Sequence, residues 1–342
     1  MGVKRLKRVL ELVGSRVIKT GVAIFLTAWI CELLNWPPVF AVITAIVTLE
    51  PTVSDSIKKG MIRFPASAIG SAYAVIFIAL FGNSPITYTL AAVLTIATCF
   101  RLKLHAGLLV ATLTSVAMVE VIHSNYLISF FIRLGTTTVG LLVSTMVNMF
   151  VLPPDYTREI IQNIREISKQ TGNTIGKIMK SLLNENDPAQ NQSDLNQLDK
   201  KIVQSEKLIQ FQREESKYHP LVGSERDAFH LAEQKLKNLR LIHYHMTNLM
   251  NMPPQIFLLS TEKQKVIQHA AGFLVNNLKD NSRYDEEKHL EEELQLRKLF
   301  WEGNVSAGKH VDYLTGFPPD LIILYELLSI YNLAKSFHQK VK

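Results

Sequence analysis

The chain has 342 residues, 47% of them hydrophobic, with 37 Lys and Arg against 30 Asp and Glu, a net charge of +7. Mean hydropathy is +0.12, too apolar for a typical soluble protein and too charged for a chain that is membrane throughout. Residues 1–154 hold 12 basic and 5 acidic residues while 155–342 hold 25 of each; an apolar, basic first part excludes a disordered chain and argues against a nucleic-acid-binding face.

Six apolar stretches precede Pro153, at about 17–34, 37–50, 64–82, 86–100, 104–122 and 127–152. The third carries no charge over 19 residues, near the ~20 that a helix needs to span hydrocarbon. The second and fourth are short, at 14 and 15 residues. The connections at 35–36, 83–85 and 123–126 leave room only for tight hairpins, so the pattern predicts six spans. Pro65 is expected in the first turn of the third span, where a missing N–H is harmless. Lys19 and Glu32, at opposite ends of the first span, are expected to snorkel to the interfaces. Trp29 and Trp36 suit an interfacial belt. Cys31 and Cys99 lie inside apolar runs and read as small packers.

Basic residues alternate between connections. Lys4, Arg5, Lys7, Arg8 and Arg16 precede the first span, Lys58, Lys59 and Arg63 follow the second, and Arg101 and Lys103 follow the fourth. The other connections have none. The positive-inside rule then puts both termini, and everything after Pro153, in the cytoplasm of a multi-pass cell-membrane protein.

Residues 40–82 align without gaps on 110–152. Thr44 falls on Thr114, Glu50 on Glu120, Arg63 on Arg133 and Gly70 on Gly140. Glu120 and Arg133 are the only charged residues between 104 and 152, so their match carries weight. The repeat copies cover about 17–82 and 87–152. Three spans per copy is odd, so the second copy enters the membrane inverted, as in many secondary transporters. Glu50 with Arg63 would flank the inner turn and Glu120 with Arg133 the outer turn, an expected pair of gates. The competing reading of Glu50 and Arg63 is solvated loop charges that report topology. For Glu120 and Arg133 it is a structural pair, set against the ~2.5–3.5 kcal/mol cost of a charge within a span. Ala66, Gly70 and Ala74, matched by Thr136, Gly140 and Ser144, form small-residue stripes that let helices approach closely.

After Pro153-Pro154 the pattern turns hydrophilic and helical, at 155–183, 195–216, 225–251, 261–280, 286–301 and 319–338. Ile160, Ile161, Ile164, Ile167, Ile175, Ile178 and Met179 make the first stripe, and Leu321, Leu324, Leu328 and Tyr331 the last. The acidic run Asp285-Glu286-Glu287 with Glu291-Glu292-Glu293 reads as a solvated helix face. His243 and His245 are two apart and point to different sides of a helix, so they form no zinc pair. The fold expected is all-α: a six-span domain of two inverted three-helix repeats over 1–154, and a cytoplasmic helical bundle over 155–342.

The segment Trp36-Pro37-Pro38-Val39-Phe40-Ala41-Val42-Ile43-Thr44, then Glu50-Pro51-Thr52 and Arg63 through Gly70, is similar to the first half of the aromatic acid exporter family, within the fusaric-acid-resistance-like membrane proteins. Pro65-Ala66 departs from the small-residue pair of that family, whereas Gly135-Thr136 after Arg133 keeps it. The second half of the chain resembles the C-terminal domain of such proteins. The resemblance implies proton-driven efflux of aromatic carboxylates or similar amphipathic anions.

No Walker A, GxSxG, HExxH or GxGxxG pattern occurs. No enzyme, cofactor or metal site is expected, and a pump of this kind needs an ion gradient or a partner. The expected partners are the lipid bilayer and a small organic anion, not nucleic acid, with a homo-oligomer left open. Arg133 is the expected carboxylate contact, Phe130 or Phe131 would meet the ring, and Glu120 is the expected proton carrier once burial raises its pKa. Two other readings stand beside the exporter: a membrane-anchored helical sensor or scaffold, and a passive channel.

Overall fold

The computed structural model describes residues 14–121, 125–184, 189–252, 261–280, 284–307 and 319–339. The basic cluster Lys4, Arg5, Lys7 and Arg8, most of the turn at 123–126, and the breaks at Pro253-Pro254 and Pro318 lie outside them. Among the described residues all regular structure is helical. The chain divides into two compact units, Met1–Asp155 with Arg213–Pro220, and Tyr156–Gln212 with Leu221–Lys342.

The first unit holds α1 (Ser15–Leu33), α2 (Val39–Thr48), α3 (Val53–Phe81), α4 (Pro85–Arg101), a 3-10 turn at His105–Gly107, α5 (Leu108–Val121) and α6 (Tyr126–Phe150). Adding 70 to the bounds of α1, α2 and α3 lands within three residues of those of α4, α5 and α6. Packing follows the same rule, since α2 lies on α6 and α5 lies on α3. A Cβ on Gly70 would collide with the carbonyl oxygen of Ala111, and one on Gly140 with that of Ala41. All four positions interconvert by 70, and both crossings require glycine because backbone meets backbone there. Ala66, on the same stripe, is fully buried. Thr136 is buried too, and its hydroxyl donates to the Arg133 carbonyl at 2.9 Å.

Helix lengths are uneven. Of these six, α3 and α6 are long and apolar enough to cross a membrane. By contrast α2 and α5 have 10 and 14 residues, short of the ~20 required. Burial in this unit is inside-out. Thr27, Thr44, Ser67, Thr95, Thr114 and Thr137 are buried, while Phe25, Leu80, Phe100, Phe131 and Phe150 are exposed.

One expected boundary is corrected. The third apolar stretch begins at about 64, but α3 starts at Val53, so Lys58, Lys59 and Arg63 are helical and Pro65 lies inside the helix. Thr52 causes this. Its side chain accepts the N–H of Asp55 at 3.1 Å, and Asp55 sits in the first turn, where the helix dipole favours an acid. A capped start carries the helix past the end of the apolar run.

The second unit holds α7 (Thr157–Asn184), α8 (Ala189–Glu215, its last turn belonging to the first unit), α9 (Ser224–Met250), α10 (Thr261–Lys279), α11 (Glu286–Ala307) and α12 (Pro319–His338). Its core is built from the expected stripes: Ile160, Ile164, Ile167, Ile175 and Ile178 of α7 and Leu321, Leu324 and Tyr331 of α12 are buried. Ile161 is the exception, at 38% exposed. The Tyr331 hydroxyl donates to the Ala270 carbonyl at 2.6 Å, which satisfies a group buried among aliphatic side chains.

The acidic run is not wholly a solvated face. Glu292 and Glu293 are buried. Glu292 meets His269 at 2.9 Å and Glu293 meets Arg297 one turn on at 2.5 Å. A partner one turn or one helix away lets a carboxylate go inside. His243 and His245 diverge as their spacing requires, one toward the Leu195 carbonyl and one toward Glu326.

Candidate gating and anion site

The two charged pairs behave differently. Glu50 and Arg63 are joined. Glu50 Oε1 accepts from Arg63 Nη2 at 2.7 Å and Oε2 from Lys59 Nζ at 2.8 Å. Arg63 Nε also donates to the Ala106 carbonyl at 3.2 Å, which ties α3 to the 3-10 turn. The side chains of Arg63 and Glu50 are 7% and 14% exposed, so water screens the pair little.

Around it runs a network that the sequence does not announce. Asn148 of α6 donates from Nδ2 to the Glu50 carbonyl at 3.1 Å and to Ser56 Oγ at 3.0 Å. Lys19 of α1 donates to Asn148 Oδ1 at 2.8 Å and is buried, so it does not snorkel. The signal available in the sequence was Asn148 itself, a carboxamide in an apolar run that must find partners.

The segment Arg213–Pro220 joins the same end of the unit. Glu215 is fully buried, accepts the backbone N–H of Val53 at 3.0 Å, and meets His219 Nδ1 at 2.7 Å. Its carboxylate thus sits on the first N–H of α3, where the dipole favours negative charge. Glu214 takes the Ser54 hydroxyl at 2.8 Å and Lys58 at 3.1 Å. Hydrogen bonds from Lys217, Ser54 and Lys58 hold its carboxyl down at about 2. No sequence pattern marks Glu215, because its partner lies 162 residues away.

Glu120 and Arg133 are not joined. Glu120 is exposed and accepts from the Tyr88 hydroxyl at 2.7 Å. The burial expected of a proton carrier is therefore missing at Glu120. Arg133 points elsewhere and is buried, at 4% exposed. Its Nη2 donates to Thr114 Oγ1, and its guanidinium carbon stands 4.2 Å from the centre of the Phe40 ring. Nε and Nη1 find no acceptor among the described residues. Ser67 Oγ lies 3.2 Å from Thr137 Oγ1 and 3.4 Å from Thr114 Oγ1. Ser67 and Thr137 are again 70 apart. Four helices, α2, α3, α5 and α6, thus converge on one guanidinium and a cluster of hydroxyls.

The aromatic ring 4.2 Å from the guanidinium carbon is Phe40, whereas Phe130 or Phe131 was the expected contact for a ligand's ring. Phe130 and Phe131 contact each other edge-on at 5.5 Å, and Phe131 is exposed.

A helical unit with apolar side chains outside and its polar groups turned inward defines a membrane protein. Residues 12–151 match the family model described as aromatic acid exporter family member 1. A UPF0421 protein of Oceanobacillus iheyensis is 50% identical over 330 residues, 95% of each chain. One from Bacillus cereus is 40% identical over 96% of this chain and 94% of its own. One from Staphylococcus haemolyticus is 35% identical over 95% and 97%. The chain belongs to the UPF0421 proteins, and its first unit to the aromatic acid exporter family.

Proposed function

We propose that this protein exports small organic anions, with aromatic carboxylates as the substrate class, and that the proton gradient drives it. The observation that carries the proposal is the half-satisfied guanidinium of Arg133. Leaving a buried donor unpaired costs about 1–3 kcal/mol, and more for a charged group. A carboxylate oxygen would accept a charge-assisted bond from Nη1, and the ring of an aromatic acid would meet the Phe40 face. The family model that matches residues 12–151 supports the substrate class.

The transport cycle follows from the repeat. Six spans, the two short helices crossing where the bilayer thins around them, form two inverted three-helix copies with both termini in the cytoplasm. The Glu50–Arg63 pair closes the cytoplasmic side. Glu120, which accepts from the Tyr88 hydroxyl, is the carboxylate that exchanges a proton on the outer side. The state described is then closed inward. Rocking one copy against the other would break the first pair and let Arg133 reach Glu120 once its substrate has gone.

Efflux of labelled benzoate from loaded vesicles tests this. Arg133→Ala should lower the rate at least tenfold, and Arg133→Lys should restore little, because an ammonium lacks the planar fork. Efflux by Arg133→Ala equal to wild type would remove Arg133 from the mechanism. Flux that an uncoupler leaves unchanged would favour a passive channel.

A further inference from the structure

The second unit contains a cavity of about 250 Å³ walled by α7, α9, α10 and α12. Its floor is apolar, with Ile164 and Phe337 buried and Leu231 half-buried. Ile161, the exposed member of the α7 stripe, lies at this cavity. Three cations, Arg165, Lys235 and Lys279, line it together with no acid. In a region of the chain whose basic and acidic residues balance at 25 each, that is a local excess of positive charge. Among the described residues none of the three is in an ion pair. Lys235 is half-buried, its ammonium 5.1 Å from the Phe337 ring centre. Burial holds its pKa below the ordinary lysine value. The Ser168 hydroxyl donates to the Leu278 carbonyl at 2.7 Å and so fixes α7 against the end of α10 at the cavity wall.

We propose that this cavity is a binding site for a small amphipathic monocarboxylate. Size sets the upper limit, because cavities for drug-sized ligands run from about 300 to 1,000 Å³. Charge sets the head group. An anion at the mouth would face three cations that are in no ion pair among the described residues and would return the Lys235 ammonium to a favourable field. The apolar floor excludes a small hydrophilic anion such as phosphate, which would leave the Ile164 and Phe337 surfaces without contact. The site is separate from Arg133 and does not depend on the transport reading.

The test uses the full-length protein in detergent micelles and benzoate as the probe. Lys235 is acetylated with a limiting dose of an activated ester, and its modification is followed by mass spectrometry, with exposed Lys298 as the reference. Saturating benzoate should slow acetylation of Lys235 at least fivefold and leave Lys298 unchanged. Neutral benzamide should not protect. Arg133→Ala should keep the protection, which separates this site from the transport site. Ala228→Phe, which fills the cavity, should abolish it. Arg165→Gln with Lys279→Gln, both at exposed positions that do not hold the fold, should raise the half-protecting benzoate concentration at least fivefold. Equal protection by benzamide, protection by dodecanoate alone, no protection at all, or an unchanged benzoate dependence in the double variant would each overturn the proposal.

Discussion

Replacing Glu50 by Gln should loosen the end of the first unit that Arg63, Lys59 and Asn148 hold together. The substitution keeps shape and backbone, so the Asn148 bond to the Glu50 carbonyl survives. It removes the charge that faces Arg63 at 2.7 Å and Lys59 at 2.8 Å. Two unit charges about 4 Å apart at an effective dielectric near 20 attract by roughly 4 kcal/mol. The Lys59 side chain is 37% exposed, so its share falls to well under 1 kcal/mol. The Arg63 share is the larger, because Arg63 is nearly buried and its Nη1 already lacks an acceptor among the described residues. An amide oxygen still accepts one of its bonds, which recovers about half of the loss. The net destabilisation expected is about 2–3 kcal/mol, or roughly 30- to 150-fold in the opening equilibrium. Hydrogen exchange of the amides from Val53 to Lys59 in detergent-solubilised protein reads that equilibrium, because local opening exposes the first turns of α3. Protection should fall by at least thirtyfold there and stay unchanged in α9. A fall of threefold or less, about 0.7 kcal/mol, would show that the pair is screened and that the reasoning about its burial fails.

Three further outcomes follow from the same geometry. Glu215→Ala strands the Val53 N–H and the His219 ring, and should destabilise the first unit by about 1–3 kcal/mol; thermal unfolding of the solubilised protein would show it, and an unchanged midpoint would count against the buried contact. Gly140→Ala and Gly70→Ala each force a Cβ into the carbonyl oxygen of Ala41 or Ala111, so each should cost at least about 1–3 kcal/mol and lower the yield of folded protein. Gly21→Ala, in α1 with open space around it, should be milder, and a reversed order would refute the crossing argument. His338 is held at about 4 by burial, then by Lys235 and His289. Its folded-state value lies below the unfolded value of about 6.5, so its contribution to stability is complete above pH 6.5 and is lost as the pH falls toward 4, by up to about 3 kcal/mol. Exchange protection of α12 should therefore decline across that window in wild type and decline less in His338→Phe.

Much of the architecture was legible because it follows from local pattern. Periodic isoleucines mark α7 whatever α7 packs on, and apolar runs bounded by Gly82, Ser84 and Pro85 mark the ends of α3 and α4. The repeat was legible because duplicated positions keep their residue types: Gly70 and Gly140 are glycine for one steric reason. Glu50 and Arg63 were legible as a pair because they flank one turn. Other features were hidden for physical reasons. Lys19 looked like a snorkelling end charge, since nothing local reveals that Asn148, 129 residues on, supplies its acceptor. Phe40 at Arg133 depends on the crossing of α2 with α6. The start of α3 depended on a cap, Thr52, whose side chain outweighed the apolar boundary.

The sequence by itself determined the all-helical class, the six apolar stretches, the offset of 70 and the polar candidates, because composition, period and duplication are properties of order along the chain. Only the tertiary structure decided which candidates meet. It joined Glu50 to Arg63, left Arg133 apart from Glu120, brought Glu215 onto the first turn of α3, and gathered three cations around an apolar cavity. Ion pairs and cavities form between helices, and the distances that govern their energy are set by packing across more than a hundred residues, which no local pattern encodes.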